Sequence, residues 1–438
     1  MQSKKLFKEF LQYVTLNILG MIGLSCYILA DTFFVSNGLG ADGLTALNLA
    51  IPVYSLIHGC GLMLGMGGAT KYSIFRGRKE TANANHAFSN VLCLTLILSV
   101  LFFFAGIFLS EKITLILGAD GNVFNMTRTY LQVILLFSPA FLANDVLICF
   151  VRNDGNPKLA MTAMLAGSAA NIFLDYLFIF PMKLGILGAV LATGAAPAIS
   201  ICILSWHRIS KQNHFHLQKL KFFPSLIRDT VSLGIPSLIT EAASGIVMIV
   251  FNFIILGLLG NIGVAAYGII ANLSLVVISI YTGIAQGTQP IISRAYGCGD
   301  WTDIKKLLKY AVVTTLLLSA CIFCVFFACT DSIVNLFNKE QNIRLQQTAA
   351  SGMKLYFTAI PFAGFNIVLS TYFTSIERAV KAQTISLLRG FFIIIPMTFL
   401  LSRIWGITGV WLSFPITEII VAVTGLILKY SEKTLRRK

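Results

Sequence analysis

The feature that most constrains this chain is a series of long apolar runs without a single charged residue. A run of about 20 apolar residues is long enough to cross the hydrocarbon core of a membrane as a helix. With 56% hydrophobic and only 12% charged residues, the chain has too little polar surface to cover a water-exposed globule. The sequence therefore predicts an all-α integral membrane protein. The uncharged runs are 10–30, 43–70, 81–110, 184–207, 242–293, 310–330 and 355–376.

The apolar pattern predicts twelve transmembrane spans. Of the 33 Lys and Arg residues, 26 fall in the two termini and in alternate loops, and only 7 fall in the other loops. Positive charge collects in cytoplasmic loops, so both termini are predicted to be cytoplasmic. Topology then accounts for the net charge of +15, and no nucleic-acid partner is expected. Spans 1 to 12 are predicted at 11–36, 45–69, 87–109, 126–149, 159–181, 184–206, 231–257, 264–292, 308–329, 351–375, 383–402 and 406–428.

Glycines recur at a fixed spacing in the two halves of the chain. A shift of 220 residues pairs Gly40 with Gly260, and a shift of 221 pairs Gly185 with Gly406. Such matches arise by chance in a glycine-rich protein, but the count of six spans in each half favours a repeat. An even number of spans per repeat relates the halves by an axis along the membrane normal. We therefore expect two six-helix lobes, with a substrate site between them.

The repeat also predicts the domain boundaries. The first lobe is predicted to cover residues 1–215 with spans 1 to 6, and the second to cover 216–438 with spans 7 to 12. A cytoplasmic linker is expected at about 207–229. The basic start of the chain precedes an apolar run too long for a signal peptide, so we expect span 1 to be retained.

Motifs of membrane enzymes do not occur in the sequence. It has no phosphate-binding loop, no zinc-protease motif and no serine-hydrolase elbow, so neither an enzyme nor a cofactor is predicted. Cys321 and Cys324 lack the second pair or His that a zinc site needs, and no metal is expected. His58 lies deep in span 2 without an evident partner, which favours a polar packing role.

Five acidic residues lie within predicted spans, where an ionisable group is costly unless it is paired or hydrated. Asp31 in span 1 and Asp175 in span 5 each lie about six residues from the outer end, roughly 9 Å below the boundary. The two can therefore meet at one depth. Two carboxylates in one low-dielectric pocket resist simultaneous ionisation, which suits a group that takes up a proton on one side and releases it on the other. The alternative is a hydrogen-bonded contact between spans.

Three neighbours are candidates for the same site. Asn171 and Tyr27 lie four residues before Asp175 and Asp31 on the same helix faces, and Thr193 in span 6 offers a hydroxyl group. The repeat alignment places no acidic residue opposite either carboxylate. Cation coupling is therefore expected in the first lobe.

The other acidic residues within spans are weaker candidates. Glu241 in span 7 is predicted to bind a second cation or a cationic substrate. Asp145 in span 4 either snorkels, pairs with Arg152, or lines the substrate cavity. Glu418 in span 12 has no obvious partner.

Several uncharged or basic residues complete the candidates. Gln286 and Gln289 in span 8 are predicted to line the substrate cavity, together with Met66 in span 2. Arg294 and Arg389 are expected to extend towards the cytoplasmic face.

Three motifs resemble those of the multidrug and toxic compound extrusion (MATE) family. Asp31-Thr-Phe-Phe-Val35 with Gly40-Ala-Asp-Gly-Leu-Thr-Ala-Leu47 is similar to its first-span motif, and Asn171-Ile-Phe-Leu-Asp175 to its fifth. Gly283-Ile-Ala-Gln-Gly-Thr-Gln-Pro-Ile-Ile-Ser293 resembles its eighth-span signature. The resemblance implies two six-helix lobes in a V and export of amphipathic, often cationic compounds against entry of H⁺ or Na⁺. The two aspartates resemble the DinF-like branch, whose first lobe carries the coupling carboxylates.

We therefore expect an H⁺-coupled antiporter that acts as a monomer in a bacterial cytoplasmic membrane, with the lipid bilayer and a small-molecule substrate as its partners. One alternative is a Na⁺-coupled exporter of the same family. Another is a lipid-linked oligosaccharide flippase of related fold, which would need basic groups in its cavity to bind pyrophosphate. The spans hold few basic residues, which favours a cationic or neutral cargo.

Overall fold

The computed structural model describes residues 2–219, 223–338 and 341–435, and this part of the chain consists of helices and short turns. The predicted linker at 207–229 includes residues 220–222, which lie outside the described residues. The same holds for Lys339 and for the basic residues 436–438, which contribute to the charge count.

The first half of the chain forms eight helices, of which α3 and α8 are short. They are α1 (Gln2–Gly77), α2 (Thr81–Phe108), α3 (Ser110–Ile116), α4 (Gly121–Leu136), α5 (Ser138–Asn153), α6 (Pro157–Ile179), α7 (Gly185–Leu204) and α8 (Trp206–Ile209).

The second half forms seven α-helices, a 3₁₀ turn at Phe357–Ala359 and a π turn at Leu388–Phe392. The helices are α9 (Pro224–Gly297), α10 (Trp301–Ala328), α11 (Thr330–Phe337), α12 (Ile343–Tyr356), α13 (Ile360–Ser375), α14 (Ala379–Leu387) and α15 (Ile394–Leu435).

Single glycines divide three of the long helices into pairs of spans. Gly40 in α1, Gly260 in α9 and Gly406 in α15 have φ of 68°, 63° and 57° with an extended ψ, a conformation that glycine adopts without steric cost. Eight helical segments are long and apolar enough to cross a membrane, and α4 with α5 makes a ninth that is bent by 50°. Counting the three broken segments twice gives the twelve predicted spans.

The backbone repeats as the sequence does. Gly40 and Gly260 have nearly the same φ and ψ, and the short helices α3 and α11 begin 220 residues apart. Spans 4 and 10 are each interrupted as well, at Phe137 and at the 3₁₀ turn Phe357–Ala359, and the helix that follows carries a proline in its first turn, Pro139 or Pro361. The predicted repeat is confirmed at the level of helix breaks.

Glycines let the two lobes touch backbone to backbone. A Cβ atom on Gly67 would lie 1.9 Å from the carbonyl oxygen of Thr230, and one on Gly234 would lie 1.8 Å from that of Met63. On the opposite side of the pseudo-two-fold axis, a Cβ on Gly287 would lie 2.8 Å from the oxygen of Tyr13. Span 2 therefore packs on span 7, and span 8 packs on span 1.

These contacts lie at one side of the bundle. We call the side that carries the start of span 1 and the end of span 2 the terminal side, and the opposite side the distal side. The Ser25 hydroxyl donates to Ser279 Oγ at 2.6 Å near mid-membrane, and Lys71 pairs with Asp229 and Glu377 at the terminal ends. The lobes thus meet along the terminal half of the bundle.

We predict that Gly67→Ala destabilises the protein by about 1–3 kcal/mol, because the added methyl group must displace the backbone of span 7. Gly257→Ala in the same pair of spans is the matched control, since nothing lies within 4 Å of its Cβ position. Thermal unfolding in detergent measures both. Equal melting temperatures for the two variants would contradict close packing at Gly67.

Candidate functional site

The carboxyl groups of Asp31 and Asp175 lie within hydrogen-bonding range of each other inside the first lobe. The side chain of Asp175 is fully buried, and Asp31 is 7% exposed. An ionised carboxylate is only an acceptor, so a hydrogen bond between two carboxyl groups requires that they hold a proton between them. The predicted meeting of the two residues is confirmed, and their role in coupling remains a prediction.

Small residues on span 1 place these carboxyl groups side by side. A Cβ atom on Gly23 would lie 2.5 Å from Leu165 Cδ2, and one on Gly38 would lie 2.4 Å from Ile179 Cγ2. The two glycines stand before and after Asp31 in the sequence. The residues that they contact stand before and after Asp175. Spans 1 and 5 therefore pack closely on both sides of the pair.

Amide and hydroxyl groups surround the pair. With its amide nitrogen turned to the carboxyl group, Asn171 lies 3.1 Å from Asp175 Oδ2, and its amide oxygen lies 3.3 Å from the backbone nitrogen of Thr193. The hydroxyl group of Tyr130 lies near that of Thr193 and within electrostatic range of both aspartates. Tyr130 in span 4 was not predicted, because no spacing in the sequence relates it to the two aspartates.

One oxygen of each carboxyl group is buried without a hydrogen-bond partner in the described part of the chain. These are Asp31 Oδ1 and Asp175 Oδ1. Buried polar atoms are normally paired, so these two oxygens need a proton or another donor between or beside them.

Tyr27 extends the polar group towards span 2 instead of contacting Asp31 directly. Its hydroxyl group lies 2.8 Å from that of Tyr54. The ring of Tyr54 stacks on that of His58, with centroids 6.0 Å apart. A row of polar rings therefore leads from the carboxyl pair to His58.

His58 has a partner, contrary to the prediction. Its Nδ1 lies 2.8 Å from Asp145 Oδ2, so Asp145 neither snorkels nor pairs with Arg152. The contact depends on Gly61, where a Cβ atom would lie 2.5 Å from the same carboxyl oxygen. Glycine in span 2 thus makes room for an acidic residue of span 4.

Glu241 approaches the same turn of span 2 from the second lobe. Its Cβ lies 3.2 Å from the Cβ position of Gly59, and His58 and Asp145 are within electrostatic range. Among the described residues, its carboxylate has no hydrogen bond or ion pair. Two acidic residues from different lobes therefore face one turn of span 2.

The predicted cavity residues lie in the packed lobe interface. Arg152 is fully buried and donates to Asn17 Oδ1 and Gln286 Oε1, each at 2.8 Å, while Met66 Sδ lies 3.4 Å from its other terminal nitrogen. Gln289 is fully buried. Its side chain bonds to Thr70 and Asn153. In this arrangement of the lobes Gln286, Gln289 and Met66 contact buried polar groups of the interface, and their role in lining a substrate cavity stays a prediction.

Glu418 also has partners, and they lie within the second lobe. Its Oε1 accepts from Arg389 Nε at 2.5 Å, and its Oε2 accepts from Asn366 at 2.7 Å. Glu418 is fully buried, and the Arg389 side chain is 16% exposed. Arg389 lies in the π turn of span 11, which aims its side chain at span 12. It does not extend to the membrane surface as predicted.

A family model named MatE matches the chain twice, over residues 17–177 and 236–400. The two matches fall in the two halves and together cover most of the chain. The chain belongs to the MatE family. The double match agrees with the glycine breaks, and membership confirms the prediction of a membrane transporter over an enzyme.

Curated relatives and solved structures give the same result. The multidrug export protein MepA of Staphylococcus saprophyticus is 25% identical over 98% of this MatE chain and 94% of its own length, and MepA of Staphylococcus haemolyticus is equally similar.

A MATE crystal structure in complex with MaL6 superposes with a TM-score of 0.93 at 22% identity, covering 98% of this chain and 97% of that one. An outward-facing multidrug resistance MATE transporter superposes at 0.91 with the same identity and coverage. These neighbours show the fold of twelve helices in two lobes.

We predict that Glu418→Gln lowers the stability of this MatE protein by about 3–5 kcal/mol, because it leaves the largely buried guanidinium group of Arg389 without a counter-charge. The double variant Arg389→Met/Glu418→Met removes both charges and should cost much less. Thermal unfolding compares the two. A single variant that is as stable as the unmodified protein would show that the ion pair is dispensable.

Proposed function

We propose that this protein is an H⁺-coupled antiporter that exports small amphipathic organic compounds, often cations. The observation that carries the proposal is the close approach of the buried carboxyl groups of Asp31 and Asp175 within the membrane. Ionisable groups at this depth mark ion pathways and proton relays. The names of the MepA relatives, which describe multidrug export, support a broad range of exported compounds.

The carboxyl pair supplies a charge change that distinguishes two lobe arrangements. With a proton between them, the two groups hold spans 1 and 5 together without net repulsion. Loss of that proton places two negative charges in contact and disfavours this packing. A ligand or proton shifts a conformational equilibrium only through such a difference between states. Proton uptake from the distal side and release to the terminal side would therefore drive the lobes in one direction.

Cationic substrates suit the acidic groups that face span 2. Asp145 and Glu241 come from different lobes, so a cation held between them experiences a different field when the lobes move apart. His58 already pairs with Asp145 and would compete with a bound cation for that carboxylate.

We infer that coupling is confined to the first lobe, as in the DinF-like branch. In the second lobe the carboxylate of Glu418 is bonded to both Arg389 and Asn366, so protonating it would strand a buried arginine charge. The distribution of Lys and Arg supports cytoplasmic termini in a bacterial inner membrane, which makes the terminal side the cytoplasmic side. One chain carries all the proposed groups, so a monomer suffices.

Transport by proteoliposomes tests the coupling ion. We expect an imposed pH gradient to drive transport of a fluorescent organic cation when the compartment that receives the cation is the more acid one. A Na⁺ gradient at uniform pH should drive little transport. Efflux that follows Na⁺ alone would establish the Na⁺-coupled alternative.

Replacing Asp31 by Asn should reduce pH-driven efflux to the level of empty liposomes, because the pair can no longer gain and lose a shared proton. Asp42→Asn, the same change at an exposed position beyond the Gly40 break, is the matched control and should transport normally. Both variants are compared at equal reconstituted amounts. Undiminished efflux by the Asp31 variant would exclude this mechanism.

A further inference from the structure

A small cavity opens between the lobes on the terminal side. Its volume is about 80 Å³, which is too small for drug-sized molecules, whose pockets measure about 300–1,000 Å³. It lies beside the contact of Gly77 with Gly297, where the two lobes touch. The polar residues of its wall include Tyr13, Ser73, Arg76, Asp154 and Arg294.

Each lobe contributes one arginine to this cavity. Arg76 ends span 2 of the first lobe, and its guanidinium group has no hydrogen bond or ion pair within the described residues. Arg294 ends span 8 of the second lobe and uses one terminal nitrogen on Glu9, at 2.7 Å. Guanidinium donors from both sides therefore remain available to a ligand.

The one acidic residue in the wall is already occupied. Asp154 Oδ1 accepts from Tyr72 at 2.5 Å and lies 3.1 Å from His214 Nδ1. Its Oδ2 lies 2.8 Å from His207 Nε2 and accepts from the backbone of His214 at 2.7 Å. Burial alone would raise the pKa of Asp154, but the hydrogen bonds from His207, Tyr72 and His214 hold this pKa below its ordinary value.

This arrangement leaves guanidinium donors, and no free carboxylate oxygen, in the cavity. The four contacts fill the acceptor positions of Asp154, so its carboxylate has no oxygen left to pair with Arg76 or to bind a cation, although its charge and that of Glu9 still offset the two arginines. A small anion is the ligand that the remaining groups fit.

We propose that the cavity binds a phosphate group, held between Arg76 of the first lobe and Arg294 of the second. Guanidinium groups bind phosphate oxygens through paired, charge-assisted hydrogen bonds, and the hydroxyl group of Tyr13 lies in the same wall. Free inorganic phosphate and the headgroup of an acidic phospholipid both present this chemistry. The cavity lies at the ends of spans, at the depth where headgroups are found.

A phosphate that bridges the lobes would stabilise the arrangement in which their terminal ends are closed. A ligand that binds one arrangement and not the other shifts the population towards it. Phosphate on this side would therefore slow the opening of the terminal side, independently of which ion drives transport.

The test measures thermal unfolding of the full chain. In neutral detergent, inorganic phosphate is compared with chloride at equal ionic strength. In nanodiscs, phosphatidylglycerol is compared with phosphatidylcholine. Saturating ligand should raise the melting temperature by about 2 °C. A shift in both arms shows that the phosphate group suffices, and a shift only with phosphatidylglycerol assigns the site to a lipid headgroup.

Variants assign the shift to the cavity. Arg76→Gln breaks no contact among the described residues and should abolish the ligand-induced shift, as should Arg294→Gln. Arg208→Gln is the matched control, because it removes an exposed arginine on the same side of the bundle but outside the cavity. The proposal is overturned if neither arm shows a shift, or if the Arg76 variant shifts as much as the control.

Discussion

A proton shared between two carboxyl groups inside the membrane is the interaction on which the proposed mechanism depends. Asp31 and Asp175 are held in contact by glycine packing between spans 1 and 5, and neither has a basic partner among the described residues. In a low-dielectric site their packing is compatible with one negative charge or none, but not with two. The pair therefore links a chemical event, the binding of a proton, to the fit between two helices.

The repeat supplies two similar lobes, and the placement of charge makes them different. The first lobe carries a carboxyl pair that has only a proton to hold it together. In the second lobe, Glu418 has a permanent counter-charge in Arg389. The lobes contact each other through glycines such as Gly67 and Gly287, so small rearrangements of helices in the first lobe act directly on the interface. In this account the charge of the first lobe changes when it binds a proton and that of the second lobe does not. This difference is enough to give transport a direction.

Features that are local along the chain were predictable, and features that depend on helix rotation were not. Hydropathy gave the twelve spans, glycine spacing gave the repeat, and distance from the span ends gave the common depth of Asp31 and Asp175. The partner of an ionisable group depends on which face of a helix meets which neighbour, and one sequence does not determine this. His58 and Glu418 therefore lacked partners in the prediction, although the structure pairs both. Gln289 was polar enough for a cavity, and in this arrangement of the lobes it joins buried interface groups.

The shared proton itself is the most direct target for measurement. Infrared difference spectroscopy distinguishes a protonated carboxyl group from a carboxylate by its C=O stretching band. At neutral pH the account predicts a protonated-carboxyl band in the unmodified protein that is missing from Asp31→Asn, because the asparagine amide then donates to an ionised Asp175. Identical spectra in the protonated-carboxyl region, with carboxylate bands that show both aspartates ionised in the unmodified protein, would contradict it.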